Sequence, residues 1–202
     1  MNRRNILKTV AASALIAGAG AFLTACAPKF HGLDITGASY AAAFPFPLTD
    51  FNGQPRTLAD FKGKVVVLFF GYTQCPDVCP TTMVDMLQVM DKLGPDRDKL
   101  QLLFVSVDPE RDTPAVLKAY MTGFDPSFLG LYAGSPEKLA ELARAFKIYY
   151  KKVEGKTPAS YTLDHTASSY IYDPQGRLRL NSRYGTPADA VAEDVKRLLK
   201  GE

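Results

Sequence analysis

The stretch Lys64-Val65-Val66-Val67-Leu68-Phe69-Phe70-Gly71-Tyr72-Thr73-Gln74-Cys75-Pro76-Asp77-Val78-Cys79-Pro80 governs how the rest of the sequence is read. Its first half is a continuous apolar run rich in β-branched and aromatic residues, which predicts a strand buried on both faces. Its end reads as a helix start. Pro80 suits a first helical position, and Met83, Met86, Leu87, Met90 and Leu93 recur at helical spacing until Gly94-Pro95 stops the segment. The methionine stripe is read as core, thioethers filling the space beside a sheet, rather than as metal ligands.

Downstream the alternation continues. Leu100 to Val107 predicts a second strand, Thr113-Pro114 starts a helix to about Met121, and Phe128 to Ala133 predicts a third strand. Ser135-Pro136 caps a helix to about Phe146, and Ile148 to Val153 reads as extended. Ala167 to Tyr172 and Arg177 to Asn181 form a hairpin around Asp173-Pro174-Gln175-Gly176, and Thr186-Pro187 opens a last helix to Lys200. This is the thioredoxin-like order: an α/β fold with a central mixed sheet flanked by helices. Upstream, Phe46 to Asp50 and Thr57-Leu58 flank the turn signal Asn52-Gly53, predicting a lead-in hairpin. One domain, residues 44–202, accounts for these elements, and no internal repeat is visible.

The amino terminus reads as targeting sequence. Arg3, Arg4 and Lys8 precede the apolar run Val10 to Leu23, which is short for a membrane span, and Leu23-Thr24-Ala25-Cys26 follows. That tetrapeptide resembles the bacterial lipobox, so residues 1–25 are expected to be a lipoprotein signal peptide and Cys26 the lipidated residue. Asn2 to Lys8 also resembles a twin-arginine export signal. Residues 26–43, small, polar and glycine-containing, are expected to be a flexible tether, in which His31 has no evident partner. The chain's formal charge is +3, which those three leader cations account for, since residues 1–25 hold no acid. A formally neutral domain gives no support for nucleic-acid binding.

With Cys26 assigned to lipid, Cys75 and Cys79 remain for the domain, in an oxidising compartment where they could form a disulfide. So short a loop gives such a bridge little entropic stabilisation, which favours reactive or metal-binding cysteines. If Pro80 is the first helical residue, Cys79 lies at the cap, where free N–H groups and the helix dipole favour a thiolate, the donor that soft Cu(I) prefers. The spacing alone fits a redox pair nearly as well as a metal pair. His165, in Leu163-Asp164-His165-Thr166, is the one histidine after the tether and precedes a strand whose start faces the cysteine turn in this topology. Two thiolates and an imidazole suit copper, and also zinc with a fourth ligand. Asp164 either orients the imidazole or caps the turn.

Cys75-Pro76-Asp77-Val78-Cys79-Pro80, the run Val105 to Thr113 and the segment from Asp164-His165-Thr166 to Asp173-Pro174 together resemble the Sco/SenC copper chaperones. The resemblance covers roughly Phe44 to Lys200. It implies copper, Cu(I) or Cu(II), held by Cys75, Cys79 and His165, and assembly of the dinuclear Cu(A) centre in cytochrome c oxidase subunit II. A copper donor chaperone is expected as a further partner, and the lipobox at Cys26 predicts a lipid-anchored position on the periplasmic side of a bacterial membrane. The same resemblance allows a thiol-disulfide reductase that uses Cys75 and Cys79 as its redox pair to keep the Cu(A) cysteines reduced. A peroxiredoxin-like peroxidase fits poorly, because Thr73-Gln74-Cys75 lacks the usual threonine-to-cysteine spacing. The acidic segment Asp108 to Asp112 is read either as a partner contact or as turn and cap chemistry.

Overall fold

A computed structural model describes residues 29–157 and 160–202. The expected signal peptide and Cys26 lie outside the described residues.

Strands and helices alternate in chain order. A two-residue strand β1 (Leu33–Asp34) and the hairpin β2 (Leu48–Asp50) and β3 (Pro55–Arg56) come first, the latter turning at Gly53 with φ +81°. Then follow β4 (Val65–Gly71), α1 (Val78–Leu93), β5 (Leu100–Ser106), α2 (Pro114–Phe124), β6 (Leu129–Tyr132) and α3 (Pro136–Phe146). The chain closes with β7 (Tyr150–Val153), β8 (Thr162–His165), β9 (Ser169–Tyr172), β10 (Leu178–Ser182) and α4 (Ala188–Leu199). Thr113 and Ser135 cap α2 and α3 as expected, their side chains accepting from the amides of Val116 and Lys138.

Eight strands form one mixed sheet in the order β1-β10-β9-β4-β5-β6-β2-β3, with β4, β5 and β6 parallel and the remaining pairs antiparallel. This is a thioredoxin-like fold with its central mixed sheet flanked by helices. Every residue of β4 and β5 is buried, as an apolar run covered on both faces must be. On one face Phe70 and Tyr170 pack against Phe146 of α3; on the other Phe69 lies beside Phe104, which packs against Tyr120 of α2. Each such fully buried apolar side chain contributes about 1.5–3 kcal/mol. Met83, Met86 and Met90 are buried in this core, as their helical spacing required.

Several boundaries differ from the sequence reading. Helix α1 begins at Val78 rather than Pro80, with Asp77 as its cap, so Cys79 sits inside the first turn. Thr57-Leu58 does not extend β3; Leu58–Phe61 forms a 3-10 turn closed by Asp60, whose carboxylate takes the Thr57 amide. Thr162–His165 is a strand of its own, paired with β7 in a separate two-stranded sheet.

The expected flexible tether, residues 26–43, is corrected over its described part. From Lys29 it lies along the domain: Leu33 and Asp34 pair with Asn181 and Leu180 of β10, and the buried Ala41 accepts the Tyr172 hydroxyl at 2.6 Å. The buried Asp194 carboxylate takes the amides of His31 (2.9 Å) and Gly32 (2.7 Å). His31, expected to lack a partner, places Nε2 2.8 Å from Glu193. These contacts depend on single residues far along the chain, which the segment's polar composition did not disclose.

Candidate metal centre

Strand β4 ends at Gly71, and the chain turns through Tyr72 to Asp77 before α1 begins, closed by the Cys75 amide donating to the Tyr72 carbonyl at 3.2 Å. This turn sets Cys75 half-buried beside the fully buried Cys79. Both are free thiols. The Cys79 amide, one of the free N–H groups in the first turn of α1, points at Cys75 Sγ from 3.5 Å.

His165 arrives from the other side. At the end of β8 it places Nε2 3.5 Å from Cys79 Sγ, while Nδ1 lies 3.1 Å from the Thr166 carbonyl. A carbonyl only accepts, so Nδ1 carries a proton there, and Nε2 is left facing the sulfurs, a donor to the Cys75 thiolate when protonated and a lone pair for a metal when not. Edge-on packing against Phe69 (5.9 Å, 81°) and Tyr72 (5.8 Å, 87°) fixes the ring. The ligand atoms of Cys75, Cys79 and His165 all lie within 4.8 Å of one another, a group able to hold a metal ion. Cys75 and His165 line a cleft of about 450 Å³, with Tyr72 and Cys75 to Val78 on one wall and Thr162 to His165 on the other, and the buried Cys79 lies behind it.

The two thiols are electrostatically unequal. The Cys79 thiol donates to Cys75 and, against the opposing effect of burial, pulls the Cys75 pKa far below the usual thiol range, with help from His165 and the amides of Asp77 and Cys79. Cys79, spending its proton on Cys75 and buried as well, is pushed up. This corrects the expectation that the cap favours a thiolate at Cys79: with the helix starting two residues earlier, the free amides converge on Cys75. The arrangement is one accessible thiolate backed by a buried thiol.

A second layer holds the cysteine turn. Asp112 is buried and accepts from the Thr73 hydroxyl (2.6 Å), the Thr73 amide (3.2 Å) and the Ser106 hydroxyl (2.6 Å); burial raises its pKa. Buried Asp108 accepts from Arg111 and from the Tyr161 hydroxyl (2.7 Å). Arg111 donates to the Tyr161 carbonyl (2.9 Å) and Gln74 Oε1 (3.2 Å), with its guanidinium 3.5 Å over the Tyr161 ring. The Leu163 amide donates to the buried Tyr72 hydroxyl at 3.2 Å, joining the cysteine turn to the strand that carries His165. The carboxylates of Asp108 and Asp112 thus act as internal turn chemistry. Asp164 is exposed, and the acceptor that orients His165 is the Thr166 carbonyl instead.

Gly71 belongs to the site through what it lacks. A Cβ there would lie 2.7 Å from Cys79 Sγ and 2.9 Å from the rings of Phe69 and Phe104. Sequence reading gives Gly71, Tyr72 and Tyr161 no role and takes Arg111 and Asp112 only within the segment Asp108 to Asp112. Only Gly71 left a signal, as a lone glycine closing an otherwise bulky buried strand.

Residues 36–200 match the family model described as SCO1/SenC. The SCO2-like protein of Rickettsia felis is 30% identical over 204 residues, covering 98% of this chain and 97% of its own. The mitochondrial protein SCO2 homolog of Mus musculus is 37% identical over 154 residues, 75% of this chain. The chain spans 46% to 60% of the length of the mouse, bovine and yeast SCO2 proteins it matches. Among solved structures, that of Bradyrhizobium japonicum ScoI with copper bound superposes with a TM-score of 0.69 at 44% identity, covering 77% of this chain and 98% of that one.

Proposed function

The chain belongs to the SCO1/SenC family, and from that premise we propose that it is a copper metallochaperone. It is anchored by lipid on Cys26 at the periplasmic face of a bacterial membrane and delivers copper for assembly of the Cu(A) centre in cytochrome c oxidase subunit II. A copper donor chaperone loads it. The observation that carries this reading is the convergence of Cys75, Cys79 and His165 within 4.8 Å at the mouth of an open cleft.

The donor set fits copper chemically. Two sulfurs on adjacent backbone can hold Cu(I), and the imidazole supplies the nitrogen that Cu(II) requires in addition. Loading takes one further deprotonation, since Cys75 is already poised as thiolate while the Cys79 proton must leave. The half-exposed Cys75 and the cleft give an acceptor's ligands access from solvent, so the ion can pass by ligand exchange. A Cys75–Cys79 disulfide would remove both thiolates and with them the site.

A thiol-disulfide reductase remains the second reading, and the inequality of the two thiols favours it. The Cys75 thiolate would attack one sulfur of an oxidised Cu(A) cysteine pair, forming a mixed disulfide and releasing the other sulfur as thiolate. Cys79, giving up its proton, would then attack Cys75, so that two electrons pass to the substrate and a Cys75–Cys79 disulfide is left.

Anaerobic Cu(I) titration of the reduced protein against a chelating competitor, run beside turnover on a disulfide-form subunit II domain, separates the two. Stoichiometric, competitor-resistant copper with slow turnover is expected; weak copper with fast turnover would move the assignment to the reductase.

A further inference from the structure

The strand registers say where an anchor must leave the domain. Ser182 of β10 pairs with Ser169, and Ser169 pairs with Phe69 of β4. The carboxyl end of β10 is therefore level with the end of β4 that delivers the cysteines. Strand β1 runs antiparallel to β10, with Leu33 opposite Asn181, so the residues before Leu33 lie at that same end of the sheet. They are fixed there. Besides the Asp194 bonds to His31 and Gly32, the Phe30 ring lies 4.1 Å from the Arg197 guanidinium and 5.7 Å from that of Arg179.

The surface at this corner joins exposed apolar groups to charges in which cations outnumber acids, the groove holding Lys29, Arg183 and Arg197 against Asp34 and Glu202. Leu33 is 56% and Tyr184 44% exposed, large apolar groups left in solvent. Lys29 and Arg183 line one groove with Leu33 and form no ion pair among the described residues. Leu33, Tyr184 and the cations Lys29 and Arg183, gathered at one end of the sheet, match the head-group layer of an anionic bilayer, where aromatics settle and each basic residue gains about 1 kcal/mol.

We infer that this β1/β10 corner is the membrane-facing side of the anchored protein. Lys29, Leu33, Arg183 and Tyr184 rest on anionic head groups, and the Cys75, Cys79 and His165 cluster is thereby held at the level of the bilayer surface. The inference rests on the proposed lipid at Cys26, which lies three peptide steps before Lys29, a reach of at most about 10 Å. Three strand spacings separate β1 from β4, so the site stands about 15 Å to the side of the contact, open to a partner seated on the same membrane.

The chain contains no tryptophan, so one introduced residue reports alone. Tyr184→Trp places it at the proposed contact. Gln175→Trp places it in the exposed turn at the opposite end of β10, roughly 20 Å away. Each full chain, produced with its leader in a lipoprotein-processing bacterium, is incorporated into phosphatidylethanolamine/phosphatidylglycerol vesicles whose acyl chains carry bromine near the head groups. Mass spectrometry reports lipid on Cys26. With lipid present, Tyr184→Trp fluorescence should fall about twofold in brominated vesicles and Gln175→Trp should not change. Equal quenching of the two, or quenching of Gln175→Trp alone, overturns the orientation and leaves the anchor standing. If Cys26 carries no lipid but Tyr184→Trp is still selectively quenched on the anionic vesicles, the anchor fails and the membrane face stands. Absence of both lipid and quenching overturns both.

Discussion

Cys75 and Cys79 stand between a seven-residue strand that is buried throughout and the first turn of a sixteen-residue helix, whereas His165 ends a four-residue strand in a two-stranded sheet. Strand β7, its only ladder partner among the described residues, is exposed over three of its four residues. The Cys79 sulfur cannot move without repacking Phe69, Phe104 and the start of α1, while half-exposed Cys75 is held beside it by the turn that its amide closes on the Tyr72 carbonyl. The imidazole can move with its hairpin at a smaller cost, its edge-on packing on Phe69 and Tyr72, the burial of Tyr161 and Leu163, and the hydrogen bonds from Leu163 to Tyr72 and from Tyr161 to Asp108. Elements with few buried apolar contacts open at lower free energy than the core does. A site built this way keeps two donors fixed and leaves the third as the one the fold can displace, which suits a protein that must both hold and surrender its ion.

The largest expected effect lies within the fixed half. Because the Cys75 pKa is lowered and that of buried Cys79 raised, iodoacetamide should alkylate Cys75 of the reduced apoprotein on the order of a hundredfold faster than Cys79. The sign follows from the direction of the shift. As pH falls below the ordinary thiol range, Cys75 stays ionised, so its rate should stay flat from pH 8 to about 6, where an unperturbed thiol slows by about tenfold per unit. A rate falling tenfold per unit across that range, read by mass spectrometry, would show that Cys75 has ordinary acidity.

Gly71→Ala tests how fixed that half is. The added methyl meets Cys79 Sγ and two buried rings at distances real side chains do not tolerate, so something in the core must shift. We expect a loss of about 1–3 kcal/mol in denaturant unfolding, together with weaker Cu(I) competition as Cys79 is pushed off its position. A single exposed substitution on the hairpin, Lys151→Ala, should cost less than about 0.5 kcal/mol. Equal costs at the two positions would erase the distinction between the halves.

The same division decides what the sequence could tell. Strand β4, helix α1 and the cysteine turn were legible because one apolar run, one helical stripe and one Cys-Pro-Asp-Val-Cys-Pro motif lie contiguously. The three candidate ligands that the sequence points to converge in space. Strand β8 was not read as a strand: Thr162-Leu163-Asp164-His165 buries only Leu163, so its alternation is too short to register, and its pairing with β7 spans an irregular connection. Strand β1, two exposed residues held by Asp194 and β10, carried no pattern at all. Nor could the sequence say that Asp108 and Asp112 point inward, because burial of a carboxylate depends on where Ser106, Thr73 and Tyr161 lie in space.

His165→Ala probes the movable half. One half-buried side chain is lost, with its edge-on contacts to Phe69 and Tyr72 but no core side chain, so the unfolding midpoint should change little. Cu(I) affinity should fall about tenfold while Cu(II) binding suffers more, since the bare sulfur pair lacks the nitrogen that Cu(II) favours. Competition titration and Cu(II) absorption spectra measure this. Unaltered Cu(II) spectra would show that the imidazole only packs against Phe69 and Tyr72.

The smallest effect concerns the bond that joins the halves. Tyr72 is 1% exposed, and its hydroxyl accepts the Leu163 amide, two residues before His165. Tyr72→Phe keeps the ring that packs edge-on against His165 and removes the hydroxyl, leaving the buried Leu163 amide unpaired and Cys75 without that neighbour. The cost should be about 1 kcal/mol, and its location matters more than its size. If the hairpin is the movable half, the loss falls on its local opening, so amide exchange at Leu163 should quicken roughly fivefold while amides of β4 and β5 keep their native rates. Cu(I) affinity should drop by a similar small factor, chiefly through a less constrained imidazole. Should exchange instead quicken equally in β4 and β5, the Tyr72 hydroxyl would belong to the global fold, and the hairpin would be as rigid as the strand beneath the cysteines.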